Sequence, residues 1–189
     1  MTDGPGERPH LLKKPVGEDD WSRGPGNAPV TLVEYADFQC GDCQRSHPAI
    51  RRVVESFGDR MRFVFRHFPL VTAHPRAEEA ALAAEAAGEQ EKFWEMQERL
   101  MEARGALDPE HLRRYAQELG LDMDAFERDM IDAAKKRKLR EEKLLGVRSG
   151  VNGTPTLFIN GVRYEGATQP VEEAELREAV DAALAESQR

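Results

Sequence analysis

Cysteine is scarce in this 189-residue chain: there are two, Cys40 and Cys43, and both fall within one four-residue window. A secreted disulfide scaffold would need more. A structural zinc site asks for about four ligands, and neither a second cysteine pair nor a cluster among the five scattered histidines supplies them. Haem attachment through CxxCH fails because Gln44 stands where the histidine belongs. Positive charge is in deficit, with 27 Lys and Arg against 35 Asp and Glu, and the net charge of -8 gives no support to a nucleic-acid partner. No run reaches about 18 uninterrupted apolar residues, so no membrane span is expected. Met1 to Pro9 has no apolar core of signal-peptide length, and a cytoplasmic location is the expectation.

The length suits one domain, or one domain carrying a sizeable insertion, with a full core. Residues 1–28, rich in Gly, Pro and charge, are expected to form a flexible tail in which Trp21 is a candidate anchor. Val30 to Tyr35 is β-branched and aromatic and reads as a buried strand; Ile50, Val53, Val54 and Phe57 then recur at helical spacing up to Gly58. Cys40 therefore falls where strand turns to helix, at unpaired amides and the positive end of the helix dipole, which favour a thiolate. Met61 to Arg66 alternates with period two and reads as a second strand, parallel to the first because a helix separates them.

From Thr72 to about Ser149 the pattern is helical. His74-Pro75 opens an Ala-rich helix, Phe93 to Met101 forms a second, and Asp108-Pro109 caps and starts a third. A fourth is expected from Asp122 to about Gly146, with Lys135 to Lys143 as its solvated charged face. Pro155 to Ile159 is strand-like, Asn160-Gly161 is a two-residue hairpin turn, and Val162 to Tyr164 returns antiparallel. Thr168 and Pro170 start a last helix.

A strand ending in CxxC on a helix, a later Gly153-Thr154-Pro155 before a hairpin, and a helical block between them resemble the thioredoxin fold in its DsbA-like form. Glu34 to Cys40, Cys43, His47-Pro48 and Thr154-Pro155 carry most of the resemblance, which spans roughly Val30 to Ala185. It implies an α/β fold: a central mixed sheet flanked by helices, formed by residues 29–71 and 150–189, with residues 72–149 as an inserted helical domain.

The resemblance also implies roles. Cys40 is the nucleophile at the surface and Cys43 the resolving thiol behind it. Glu34, six residues before Cys40, holds the place of a buried acid beneath the sulfurs; desolvation would raise its pKa and fit it to relay protons to and from Cys43. Pro155 takes the place of the cis-proline facing the cysteines, leaving the Thr154 backbone free to pair with a substrate strand. His47, one turn beyond Cys43, is a candidate for tuning the thiols, and Pro48 should kink the helix. Gly41-Asp42 departs from the Pro-containing dipeptides common in DsbA-like proteins. Repulsion from Asp42, about 1 kcal/mol at roughly 5 Å in water, would nearly cancel the helix dipole's contribution, giving a less depressed Cys40 pKa and a more reducing couple than in the strong oxidants. Asp37 reads as a turn residue.

The expected activity is thiol-disulfide exchange with protein or small-molecule thiols and disulfides and a further electron-transfer partner, needing no metal or organic cofactor. Two alternatives stand beside it. A glutathione-linked transferase or isomerase of the kappa type shares the insertion but typically has serine in place of the cysteine pair. A thiol-based metal-binding or redox-sensing module would need Cys43 exposed and no guarding proline.

Overall fold

The computed structural model of the protein describes residues 10–166 and 169–188. Its centre is a parallel pair, β2 (Val30–Ala36) and β3 (Met61–His67), whose branched and aromatic residues are almost all buried, as strands covered on both faces require. Around it β1 (Trp21–Arg23), β4 (Thr156–Ile159) and β5 (Val162–Arg163) pair antiparallel, in the order β1-β3-β2-β4-β5. Asn160 and Gly161, at φ 48° and 81°, make the tight turn between β4 and β5. Register places Glu34 between Phe65 of β3 and Leu157 of β4, in the middle of the sheet.

Period-two alternation separates two cores. Val30, Leu32, Phe63 and Phe65 face α1 (Gly41–Phe57) and α7 (Glu173–Ser187), which add Cys43, Ile50, Val53 and Val180. Val33, Tyr35, Val64 and Phe158 face the other way, against Phe68, Val151, Leu12 and Val16. The helical block comprises α2 (Ala77–Gly88), α3 (Phe93–Met101), α4 (Pro109–Glu118), α5 (Met123–Met130) and α6 (Ala133–Arg148). The mixed sheet flanked by helices is the expected architecture. No helix among the described residues is long and apolar enough to cross a membrane.

Four expectations need correction. Residues 10–28, expected to be loose, form a strap across the second core. The His10 carbonyl accepts from the Arg163 amide at 2.9 Å and the Leu12 amide donates to the Gly161 carbonyl at 2.8 Å, so the strap begins beside β5. It ends as β1 on the opposite edge, where Trp21 stacks on Phe93 with ring centroids 4.3 Å apart, so the candidate anchor is real. Buried Arg66 holds it midway, donating to the carbonyls of Lys14 and Pro15 and to both carboxylate oxygens of Asp20.

The single fourth helix is two, because Asp132 accepts from the Ala134 amide at 2.7 Å and starts α6 afresh. The Lys135 to Lys143 run is not a wholly solvated face: Lys138 donates to both oxygens of buried Glu85, and buried Glu142 accepts from the His67 amide. The Ala-rich helix starts at Ala77 and the last at Glu173, while Thr168 lies outside the described residues, as do residues 1–9 of the expected tail.

Candidate active site

Strand β2 ends at Ala36, and four residues carry the chain to the first turn of α1. Asp37 organises that turn. Its buried carboxylate accepts from the amides of Gln39 and Leu70 and pairs with His74 Nδ1, each at 2.8 Å. Its carbonyl accepts from the Cys40 amide at 3.1 Å, and its own amide donates to the Cys43 sulfur. Gln39 accepts from the Arg76 amide, so the turn is tied to the entry of the helical block. Asp37 is thus more than a turn residue. Its only signal in the sequence was a carboxylate at a strand end, which hundreds of solvated aspartates share.

Cys40 is the N-cap of α1, with extended backbone angles (φ -69°, ψ 120°), and its side chain caps nothing. The sulfur is left to the free amides of the first turn. Its thiol is pulled down to about 5: donation from the Cys43 side chain is the largest influence, outweighing burial, and the Thr154 side chain and the amides of Cys43 and Asp42 add to it. As a thiol, Cys40 donates to the Thr154 carbonyl at 3.2 Å. Among the described residues the Thr154 hydroxyl has no hydrogen-bond partner of good geometry. The Thr154-Pro155 peptide bond is cis.

Cys43, one turn in, is fully buried, and burial pushes its thiol well above its usual value; the charges of Cys40 and Glu34 push the same way. Glu34 lies on the α1 face of the sheet, fully buried with neither carboxylate oxygen hydrogen-bonded, and burial raises it to about 8. The two cysteines, Glu34 and Thr154 therefore form one site. Cys40 is only 6% exposed, less open than expected of an attacking sulfur. The next residue, Gly41, borders an open groove.

The Asp42 carboxylate is engaged by Arg45 at 2.6 Å, which offsets the expected repulsion, while the Asp42 amide favours the Cys40 thiolate. His47 is buried, and burial drives its ring down to about 4, leaving it neutral near pH 7 with Nε2 unpartnered. A neutral ring cannot tune the sulfurs by charge. Pro48 is accommodated within α1.

A strand delivering two thiols to a helix mouth, opposite a Thr-Pro loop in a mixed sheet, defines a DsbA-like protein of thioredoxin fold. Residues 17–182 match the thioredoxin family, and the chain belongs to it. Among solved structures it is similar to a thioredoxin-like oxidoreductase of Silicibacter pomeroyi, at 28% identity and TM-score 0.78, covering 88% of this chain and 93% of that one. BdbD of Bacillus subtilis, at 20% identity and TM-score 0.81 over 94% and 100% of the two chains, shares the fold. So does alpha-DsbA1 of Wolbachia pipientis, at 24% identity and TM-score 0.79 over 94% and 96%. The Na(+)/H(+) antiporter NhaA 1 of Salinispora arenicola is 45% identical over 157 residues, covering 82% of this chain and 24% of the antiporter. NhaA 1 of Mycolicibacterium vanbaalenii is 41% identical over 174 residues, covering 90% and 28%. The chain spans only about a quarter of the length of these relatives.

Proposed function

We propose that the protein exchanges disulfides through Cys40 and Cys43. The observation that carries this reading is Cys40 as the N-cap of α1, its sulfur 3.2 Å from the Thr154 carbonyl and buried Cys43 one turn behind it, a setting that draws the Cys40 thiol down to about 5. At neutral pH Cys40 is then a thiolate. It attacks one sulfur of a substrate disulfide, forming a mixed disulfide and expelling the other sulfur as a thiolate. Cys43 then loses its proton and attacks the Cys40 sulfur. The second substrate thiol leaves, and the Cys40–Cys43 disulfide remains.

Cys43 cannot easily ionise where it is buried. Glu34, raised to about 8 and free of other partners, is the group proposed to accept its proton and to return it when the cycle runs backwards. Thr154 and Pro155 are proposed to meet the substrate, since the Thr154 carbonyl and hydroxyl already face Cys40. The redox-active pair is proposed to work without metal or organic cofactor.

Stabilising the thiolate stabilises the dithiol, so the couple is proposed to be more oxidising than the dipeptide alone implied. In a cytoplasmic thiol pool, the location proposed here, such a pair stands reduced and ready to attack disulfides. Cell fractionation checks the location. Protein and small-molecule disulfides are the proposed substrates, and transporter thiols are candidates because the antiporter relatives carry the matching region within a longer chain.

Mass spectrometry of the reduced protein mixed with a disulfide tests the mechanism. Cys43→Ser should accumulate a stable mixed disulfide on Cys40, whereas Cys40→Ser should form none. Glu34→Gln should slow closure of the Cys40–Cys43 bond roughly 10-fold or more near pH 7 and flatten its pH dependence, without slowing the first attack. A Cys40→Ser protein that reacts at the wild-type rate would overturn the reading.

A further inference from the structure

Along the insertion side of α1 an open groove of about 780 Å³ runs from Gly41, the residue after Cys40, to Arg104 in the turn that follows α3. The volume is that of a small-molecule site. Three charged side chains line it, and two are answered within the chain: Arg45 pairs with Asp42 at 2.6 Å, and Glu102 lies 4.0 Å from Arg51. Arg104 is exposed and makes no ion pair among the described residues. His47, nine-tenths buried, borders the groove with a ring Nε2 that has no protein partner. The groove that starts at the residue after Cys40 thus presents, among the described residues, one cation without an ion pair and one ring nitrogen without a partner.

The whole chain carries a net charge of -8 and repels anions, so acceptance of an anionic substrate has to come from a local cation. Arg104 is the one that the groove leaves uncommitted. We propose that this groove recognises low-molecular-weight disulfides that carry carboxylates, with Arg104 taking a carboxylate while Cys40 takes the sulfur. The proposal rests on the exchange reading above and adds a substrate class to it.

Two probes separate the proposals: oxidised glutathione, which carries carboxylates, and 2-hydroxyethyl disulfide, which is neutral. Second-order rates with the reduced protein are read by quenched-flow mass spectrometry at low ionic strength. Arg104→Gln should lower the rate for oxidised glutathione relative to the neutral probe about threefold, the size of a half-exposed ion pair. Arg104→Lys should restore most of that ratio, and about 1 M salt should erase it in the wild type. A ratio unchanged by Arg104→Gln, with both probes reacting, overturns the groove assignment and leaves exchange standing. A wild-type protein with free Cys40 that reacts with neither probe overturns the exchange reading and this proposal with it.

Discussion

Asp37 shows how much one side chain can organise. Three donors converge on its buried carboxylate, and its main chain touches both cysteines, so the turn that presents Cys40 is built on it. Asp37→Ala would leave those donors without an acceptor, at a cost of about 1–3 kcal/mol for each one that stays dry. The same change should let the Cys40 amide drift and raise the Cys40 pKa. Asp37→Asn keeps one acceptor oxygen and should fall between the two. Denaturant midpoints read the loss of stability, and thiolate absorbance near 240 nm against pH reads the Cys40 pKa. Loss of stability with an unmoved Cys40 pKa would show that Asp37 only braces the turn.

At the scale of elements, what the sequence displayed depended on whether the partner lay nearby in the chain. Strand β2, the CxxC at the start of α1, the Asp108 cap of α4 and the Asn160-Gly161 turn each rest on local periodicity or local turn chemistry, and all were legible. The strap was not. Its hold on the sheet is Arg66, paired with an aspartate 46 residues away, and in a segment rich in Gly, Pro and charge that aspartate reads as solvated. The α5/α6 break was hidden for a related reason: Asp132 sits in an unbroken helical pattern of charged residues, where only its bond to the Ala134 amide marks a cap. Lys138 and Glu142 were misread because what they answer, Glu85 of α2 and the His67 amide of β3, comes from other elements.

The strap makes its own test. Asp20 and Arg66 are each 1% exposed, and removing one partner of a buried pair typically costs about 3–5 kcal/mol because the other charge is stranded. Asp20→Ala should therefore lower the urea midpoint sharply and speed amide exchange in β1. Because the strap crosses the sheet face opposite α1, the Cys40 pKa should stay where it is. A wild-type midpoint for this variant would mean that the strap contributes nothing to the fold.

For the molecule as a whole, the site couples redox state to stability through two groups shifted in opposite senses. Glu34 is raised from about 4.5 to about 8, so across that window the native chain keeps a proton that the unfolded chain has lost, and stability falls as pH rises. The slope is at most about 1.4 kcal/mol per pH unit. Cys40 is lowered from 9.0 to about 5, so between those values the native dithiol has released a proton that the unfolded chain still holds, and stability rises with pH. In the disulfide form the Cys40 contribution vanishes while that of Glu34 remains. Glu142, raised by burial, and His47, lowered by it, act in both forms and drop out of the difference. The stability of the reduced protein minus that of the oxidised one should therefore grow steadily from pH 5 to pH 8, with the oxidised form losing stability above about pH 6.5, where the His47 contribution is complete. Glu34→Gln should tilt both curves upward without changing the gap between them. Denaturant midpoints of the two redox forms at four pH values decide it, and parallel curves would mean that Cys40 is not the ionised sulfur on which the exchange chemistry depends.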